Sequence, residues 1–152
     1  MTPELLTAIQ QEASLAGLGH IFPADRYPFP REAVLERWRT ATDTILADPE
    51  ELGFAAVAPP WLDALYVRPA AWGTGVADRL HDRALEALRA AGVETAQLWV
   101  LEENRRARRF YERHGWYADG STRSVPFPPH PLDLGYSLAL ADAVPGEEAV
   151  RA

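Results

Sequence analysis

Apolar side chains recur at three- and four-residue steps in several segments of the chain, and this period predicts amphipathic helices. Thr2 is a plausible N-cap for the first of them and Gly17 a plausible stop, while Gly92 ends the third. The predicted helices are Pro3 to Gly17, Arg31 to Thr40, Thr74 to Ala91 and Asn104 to His114. On the second helix, Trp38 lies on the predicted buried side.

Shorter apolar runs between turn residues predict strands. They are Thr44 to Ala47, Leu52 to Val57, Trp61 to Val67, Ala96 to Leu101, a strand that begins at Trp116 to Ala118, and Leu134 to Leu140. Proline-bearing turns between the first three strands are typical of an antiparallel meander. A strand–helix–strand unit follows, so the order of elements predicts an α/β sheet protein.

Composition indicates a globular chain: of 152 residues, 47% are hydrophobic and 24% are charged. We expect one domain over residues 1–140 and a disordered tail over 141–152. The absence of cysteine excludes disulfides, thiolate metal sites and a cysteine nucleophile. No signal peptide or long apolar run is visible, which favours a cytoplasmic protein without a membrane partner. A net charge of −7 argues against a nucleic-acid partner.

The segment from Leu65 to Ala77 places two glycines where a strand turns into a helix. Gly73 and Gly75 can adopt backbone angles that other residues avoid and let a ligand approach the main chain. The free N–H groups of the first helical turn, together with the helix dipole, favour an anion there. This is the chemistry of a phosphate-binding loop. One interpretation is therefore a nucleotide-binding protein that uses the glycine turn to bind ATP or NAD. Glycines at such a turn also occur for tight packing alone.

The segment from Leu98 to Trp116 is a strand followed by a short helix with five arginines. Asn104 is placed as its N-cap, and Ala107, Phe110, Tyr111 and His114 share one face. An alternative interpretation makes the two aromatics core residues and the arginines a solvated surface. The four histidines show no paired metal-ligand spacing, and His81-Asp82 is predicted to be surface, so no metal is expected.

Together the two segments resemble the GNAT family of acyl-CoA N-acetyltransferases. The first is similar to its acetyl-CoA motif at Val67, Pro69, Gly73, Gly75, Val76 and Ala77. The second is similar to the motif Asn-x-x-Ala-x-x-Phe-Tyr-x-x-x-Gly-Phe/Trp at Asn104, Ala107, Phe110, Tyr111, Gly115 and Trp116. The resemblance covers roughly residues 51–140. It implies a GNAT-type mixed, mostly antiparallel sheet flanked by helices.

The family's usual first strand is missing, because Met1 to Pro3 leave no room for it. Either the sheet lacks an edge strand or the start is misassigned upstream.

The resemblance also implies acetyl-CoA as co-substrate. The backbone of Leu65, Tyr66 and Val67 would pair with the pantetheine arm, and Asn104 would contact that arm or hold the helix start beside it. Tyr111 would protonate the leaving thiolate as a general acid. Arg68, Arg105 or Arg108 would pair with the nucleotide phosphates. The pyrophosphate would be held by the N–H groups of Trp72, Gly73, Thr74, Gly75, Val76 and Ala77.

Two positions depart from the family pattern. Trp72 stands where Gln or Arg is usual, and Trp99 stands where a glutamate base often lies. We therefore expect Asp63 to be the base, since strand alternation puts it on the face of Leu65 and Val67, opposite Ala64 and Tyr66. A polar residue near a strand end is the alternative interpretation of Asp63. Glu102 or a route through bulk water would replace it as the base.

The sequence thus predicts an N-acetyltransferase in which the amine of a small molecule or peptide attacks acetyl-CoA directly in a ternary complex. We expect the acceptor pocket between two loops rich in proline and aromatics, Gly19 to Pro30 and Ser124 to Pro131. A non-catalytic acyl-CoA-binding or regulatory module is the alternative, and a homodimer is left open.

Overall fold

The computed structural model describes residues 1–140, so the predicted tail, 141–152, lies outside the described residues. The four helices are α1 Pro3–Gly17, α2 Arg31–Arg39, α3 Val76–Ala90 and α4 Arg105–Arg113. The strands are β1 Thr44–Ala47, β2 Gly53–Ala58, β3 Trp61–Val67, β4 Thr95–Leu101, β5 Tyr117–Ser124 and β6 Leu132–Ala139. A short 3-10 turn, Pro69–Ala71, connects β3 to the glycine turn before α3.

Two predicted helix caps are present. The Oγ1 of Thr2 accepts a hydrogen bond from the Leu5 N–H at 3.1 Å at the start of α1. The Oδ1 of Asn104 accepts one from the Ala107 N–H at 3.2 Å at the start of α4. Each cap satisfies one of the donors that a helix leaves unpaired at its N-terminus. The predicted helices are confirmed, with ends that differ by at most two residues.

The six strands form one mixed sheet in the order β1-β2-β3-β4-β6-β5. Every neighbouring pair is antiparallel except β3 and β4, which are parallel and joined by the crossover through α3. The predicted mixed, mostly antiparallel sheet is confirmed. In the described chain no strand precedes α1. The edge strand β5 is longer than predicted. Its residues are exposed along its whole length, so the sequence has no apolar alternation there from which the extent of the strand could be predicted.

Helices cover both faces of the sheet. The larger core packs α3 and α4 against one face, and it includes Leu80, Leu88, Leu98 and Tyr136. The smaller core packs α1 and α2 against the other face and contains Leu6, Ile9, Trp38, Phe54, Ala56 and Ala64. Trp38 is buried as predicted, with its ring edge-on to Phe54 at a centroid distance of 5.2 Å.

His81 is a correction, because its side chain is only 1% exposed although the sequence predicted it on the surface. The indole N–H of Trp116 donates to its Nε2 at 3.0 Å, so the ring proton lies on Nδ1, which contacts Asp82 at 3.0 Å. Burial lowers the pKa of His81 and favours this neutral form. The ring of His114, from the end of α4, packs against that of His81 with centroids 4.1 Å apart, and its Nε2 contacts Asp78 at 2.8 Å. The pair ties α4 to α3.

The spacing of the histidines did not reveal that His81, Asp82 and His114 meet, with one ligand-type atom of each within 4.8 Å of the others. Two helices contribute to this cluster. Both ring nitrogens of His81 already contact protein groups. None of the described helices is both long enough and apolar enough to span a lipid bilayer.

Candidate active site

Strands β3 and β4 separate toward their carboxyl ends and open a split in the sheet. They are paired at a single position, Trp61 with Gln97, where the Gln97 N–H donates to the Pro60 carbonyl at 3.0 Å. Beyond that position no pairing of β3 with β4 is found in the described residues. One edge of β3 therefore offers backbone donors and acceptors to a ligand, as the resemblance implied.

A cleft of about 330 Å³ lies beside this split. It is bounded by β3, the glycine turn, the start of α3, α4 and the end of α1. The predicted cofactor residues that line it are Leu65, Tyr66, Val67, Trp72, Gly73, Gly75, Ala77 and Asn104. Thr74 and Val76 do not line it. The Val76 side chain is buried in the larger core, and the Thr74 hydroxyl donates to the Ala71 carbonyl.

The glycine turn has the backbone geometry that its sequence predicted. Gly73 has φ 79° and Gly75 has φ 92°, values that side chains with a Cβ rarely adopt. Two predicted donors are used within the turn: the Trp72 N–H donates to Pro69 O at 3.1 Å and the Thr74 N–H to Ala71 O at 3.3 Å.

This changes the expected set of phosphate donors. No backbone acceptor within residues 1–140 takes up the N–H groups of Gly73, Gly75, Val76 and Ala77. They lie at the positive end of α3, where backbone donors and the helix dipole both favour an anion. Within residues 1–140, the turn therefore offers four free backbone donors rather than the six predicted.

Trp72 holds the two walls of the cleft together. Its indole N–H donates to the Val67 carbonyl at 2.9 Å, which fixes the turn against the end of β3. The guanidinium of Arg106, from α4, lies 3.6 Å from the centre of its ring. Such cation–π contacts contribute about 0.5–2 kcal/mol. The unusual tryptophan thus supports the turn through its side chain and leaves the backbone donors free.

The arginines that line the cleft are not those named from the sequence. Arg68 pairs with Glu12, Arg105 with Glu103, and Arg108 donates to the Tyr136 hydroxyl and the Glu102 carbonyl. The positive wall of the cleft consists of Arg106, Arg109 and Arg113. Three- and four-residue spacing along α4 places them on one face. Burial and the charge of Arg109 lower the pKa of Arg106.

Tyr111 lines the cleft with Leu65 and Tyr66. Its ring packs edge-on against Phe110 and Trp116, at centroid distances of 5.4 and 5.9 Å. No hydrogen-bond partner for its hydroxyl is found within residues 1–140. Burial raises the pKa of Tyr111 well above its usual value, so the phenol keeps its proton. The hydroxyl is available to donate to a ligand.

The predicted face of Asp63 is wrong, because β3 contains a β-bulge. Ala64 pairs with Ala56 but Leu62 pairs with the next residue of β2, Val57, so Asp63 is left without a partner. An extra residue reverses the alternation of side chains. The carboxylate lies on the α2 side, where its Oδ2 is 3.7 Å from the Nη2 of Arg37.

The environment of Asp63 makes it a stronger base than an ordinary aspartate. Burial, followed by the hydrogen bond and charge of Asp43, raises the pKa of Asp63 to about 6. The charges of Arg37 and Arg123 act in the opposite direction. The other candidate base, Glu102, is exposed just beyond β4.

Aromatic side chains lie on both strands of the split. Trp61 and Trp99 stack with their planes 13° apart and their centroids 6.0 Å apart. Arg123 lies 4.4 Å from the centre of the Trp99 ring and donates to Asp133 at 3.0 Å. These residues come from four strands, so no local motif identified the group.

The two loops expected to flank the acceptor pocket meet in the structure. Phe22 of the first loop and Phe127 of the second have ring centroids 6.1 Å apart. In the first loop, the Nε2 of His20 contacts the carbonyl of Glu103, just beyond β4, at 2.8 Å. The loops therefore come together on the side of the molecule where β4 ends.

Fold and site together have the architecture of the acetyltransferase class: a mixed sheet split between β3 and β4, with a glycine turn at the start of α3. A family model described as the acetyltransferase (GNAT) family matches residues 6–116. The chain therefore belongs to the GNAT family.

Known proteins agree with this assignment. The solution structure of apo-form YjaB from Escherichia coli superposes with a TM-score of 0.73 at 21% identity, over 89% of each chain. The structure of yncA from Salmonella typhimurium, a putative acetyltransferase with its cofactor acetyl-CoA, has a TM-score of 0.63 at 14% identity, over 98% of this chain and 96% of that one. Mycothiol acetyltransferase from Beutenbergia cavernae is 50% identical over 52 residues, which are 34% of this chain and 18% of that protein.

Proposed function

We propose that the protein transfers the acetyl group of acetyl-CoA to the amine of a small molecule or peptide by direct attack in a ternary complex. One observation carries this proposal. A single cleft joins the glycine turn, with the free N–H groups of Gly73, Gly75 and Ala77, to the open edge of β3 and to the Tyr111 phenol, which has no hydrogen-bond partner within residues 1–140.

The chain has a group for each part of acetyl-CoA. The pyrophosphate is held by the N–H groups of Gly73, Gly75, Val76 and Ala77 and by the α4 arginines that line the cleft, Arg106, Arg109 and Arg113. The pantetheine amides pair with the unpaired edge of β3 at Leu65 to Val67, as an added strand would. Asn104 lines the same cleft at the start of α4. Acetyl-CoA supplies the activated acyl group, and the protein supplies position and proton transfer.

Two side chains move the protons. Asp63 accepts a proton from the ammonium group, directly or through water, because only the neutral amine has the lone pair that attacks. A C–N bond then forms at the thioester carbonyl, which backbone donors polarise, and the C–S bond breaks. The acylated nitrogen releases its remaining extra proton to solvent, which leaves the neutral amide. Tyr111 donates a proton to the leaving thiolate. Exchange with bulk solvent then removes the proton from Asp63 and returns one to Tyr111.

The acceptor enters on the face opposite α3. Asp63, Trp61 and Trp99 lie there at the start of the split, and the loops of Phe22 and Phe127 meet at the side. A carboxylate beside aromatic rings binds an organic cation by charge and by cation–π contact. These properties support a protonated amine as the acceptor.

The test combines binding with turnover. Release of the CoA thiol is followed with acetyl-CoA and a panel of primary amines, and melting curves are recorded with acetyl-CoA, CoA, ATP and NAD. At about a thousand times Kd, acetyl-CoA should stabilise the protein by roughly 4 kcal/mol. Stabilisation without amine-dependent release would make the protein a non-catalytic acyl-CoA-binding module. Stabilisation by ATP or NAD but not by CoA would overturn the proposal.

A further inference from the structure

Asp63 belongs to a three-residue group with Arg37 of α2 and Asp43 of the segment between α2 and β1. The guanidinium of Arg37 contacts both oxygens of Asp43, with Nη1 to Oδ1 at 3.1 Å and Nη2 to Oδ2 at 3.5 Å. The same Nη2 lies 3.7 Å from the Oδ2 of Asp63. One arginine therefore bridges two carboxyl groups, and each of them acts on the pKa of the other.

The two carboxyl groups are not equivalent. The Asp43 side chain is 7% exposed and takes both short contacts from Arg37, whereas the Asp63 side chain is 33% exposed and takes one long contact. Burial opposes ionisation of Asp43, but the hydrogen bond with Asp63 and the contacts from Arg37 hold its pKa below the usual value. Two adjacent carboxylates resist ionising together, so an added proton goes to the less well paired Asp63.

Other elements contribute few charges to this group. From β5, Arg123 acts on Asp63, but its own charge is paired with Asp133 of β6. Tyr66, on β3, stays neutral because burial raises the pKa of its phenol above the already high usual value. With two carboxyl groups and one guanidinium, the group carries one net negative charge when fully ionised.

Position links the group to the split. Asp63 lies two residues beyond Trp61, the last residue of β3 that pairs with β4. The bulge turns its carboxyl group to the α2 side, where Arg37 and Asp43 meet it. The Asp63 carboxyl group thus faces the proposed acceptor side, is held by Arg37 and lies near the buried charge of Asp43.

We propose that Asp43 is a positioning residue for acetyl transfer: through Arg37 it holds Asp63, and its buried charge strengthens Asp63 as the acceptor of the ammonium proton. This inference rests on the proposed function. Because Asp43 and Arg37 act on Asp63 with opposite charge, their loss has opposite consequences. Without the Asp43 charge, Asp63 becomes a weaker base. Without the Arg37 charge, the two carboxyl groups repel each other fully and Asp63 holds its proton to higher pH.

The experiment compares Asp43→Asn, Arg37→Gln and the control Glu36→Gln, which removes an exposed charge from the same helix. The Asp63 titration is followed by NMR on protein with 13C-labelled aspartate and assigned with Asp63→Asn. The acid limb of kcat/KM for the amine is measured in parallel. We expect Asp43→Asn to move both to lower pH by about one unit and Arg37→Gln to move both to higher pH by a similar amount.

A structural role alone would lower activity equally at every pH in both variants, and this result would overturn the proposal. An unshifted Asp63 titration in a folded Asp43→Asn protein would do the same, and Arg37→Gln gives the independent test if that protein fails to fold. A wild-type protein that binds acetyl-CoA but acetylates no amine would overturn the proposed function. The NMR titrations would then still decide whether Asp43 controls Asp63.

Discussion

The two faces of the split are built in different ways. On the proposed cofactor side, the groups expected to meet acetyl-CoA are mostly backbone atoms of one continuous stretch, Leu65 to Ala77, joined by one helix, α4. On the acceptor side, Arg37, Asp43, Asp63, Trp99 and Arg123 come from five separate parts of the chain.

This difference shows which interactions tolerate a change of sequence. A backbone donor remains when the side chain changes, so Trp72 can occupy an unusual position while the turn keeps its geometry. The acceptor side depends on side chains, and each substitution there alters charge or shape directly. The cofactor side therefore carries the contiguous motifs that identify the family, while the proposed acceptor side depends on side chains brought together from distant parts of the chain.

The largest effect is expected from a substitution of Gly75 in the glycine turn, which should disrupt acetyl-CoA binding. A valine there is strained by the φ of 92°, and its Cβ would lie 3.1 Å from the Arg79 guanidinium. We expect Gly75→Val to abolish stabilisation by acetyl-CoA in melting curves. Gly92→Val is the matched control, since Gly92 has φ 82° but lies beyond the far end of α3 with open space around it. Equal loss of ligand stabilisation in both variants would contradict the role of the turn.

The second largest effect is expected at Tyr111, the proposed proton donor to the leaving thiolate. Tyr111→Phe removes only the hydroxyl and should lower kcat by about 10²- to 10⁴-fold with little change in KM for acetyl-CoA. Because the pKa of Tyr111 is raised, its loss should not change the pH profile below neutrality. Tyr117→Phe, at an exposed tyrosine, is the control. Reduced stability with normal turnover would make Tyr111 a core aromatic only.

Asp63 probes the acceptor side, and its loss should be pH-dependent. With a pKa of about 6, Asp63 is protonated as the pH falls through that value, so wild-type kcat/KM for the amine should decline there. Asp63→Asn should lower kcat/KM by about 10- to 100-fold below the pKa of the amine and less above it, where the amine is already neutral. Acetyl-CoA affinity should be unchanged. An equal loss at every pH would indicate positioning, and no loss would exclude Asp63.

The smallest effect distinguishes the arginines of α4. Arg106→Ala should weaken acetyl-CoA binding by about 10-fold, because a phosphate contact and the contact with Trp72 are lost together. Arg105→Ala, next to it but paired with Glu103 outside the cleft, should leave the Kd unchanged. Isothermal titration with acetyl-CoA measures both. A larger increase in Kd for Arg105→Ala than for Arg106→Ala would favour Arg105 as the phosphate-binding arginine, as the sequence suggested.

Local patterns predicted much of this molecule because local physics decides them. Hydrophobic period and caps placed the helices, and two glycines at the strand-to-helix junction located the turn. Where a prediction failed, a distant residue was responsible. His81 is buried because Trp116 and His114 arrive from beyond β4. The arginines could be sorted only when the tertiary structure showed which of them line the cleft.

The sequence by itself determined the order of elements, the mixed sheet, the glycine turn and the family, since each depends on neighbours along the chain or on motifs of contiguous residues. Only the tertiary structure decided which N–H groups remain free, which arginines face the cleft and what Asp63 contacts. A one-residue bulge reverses the side of every residue that follows it, and strand alternation cannot reveal such a shift without the partner strand. Proton affinity depends likewise on burial and on charges brought from α2 and β5, which no local pattern contains.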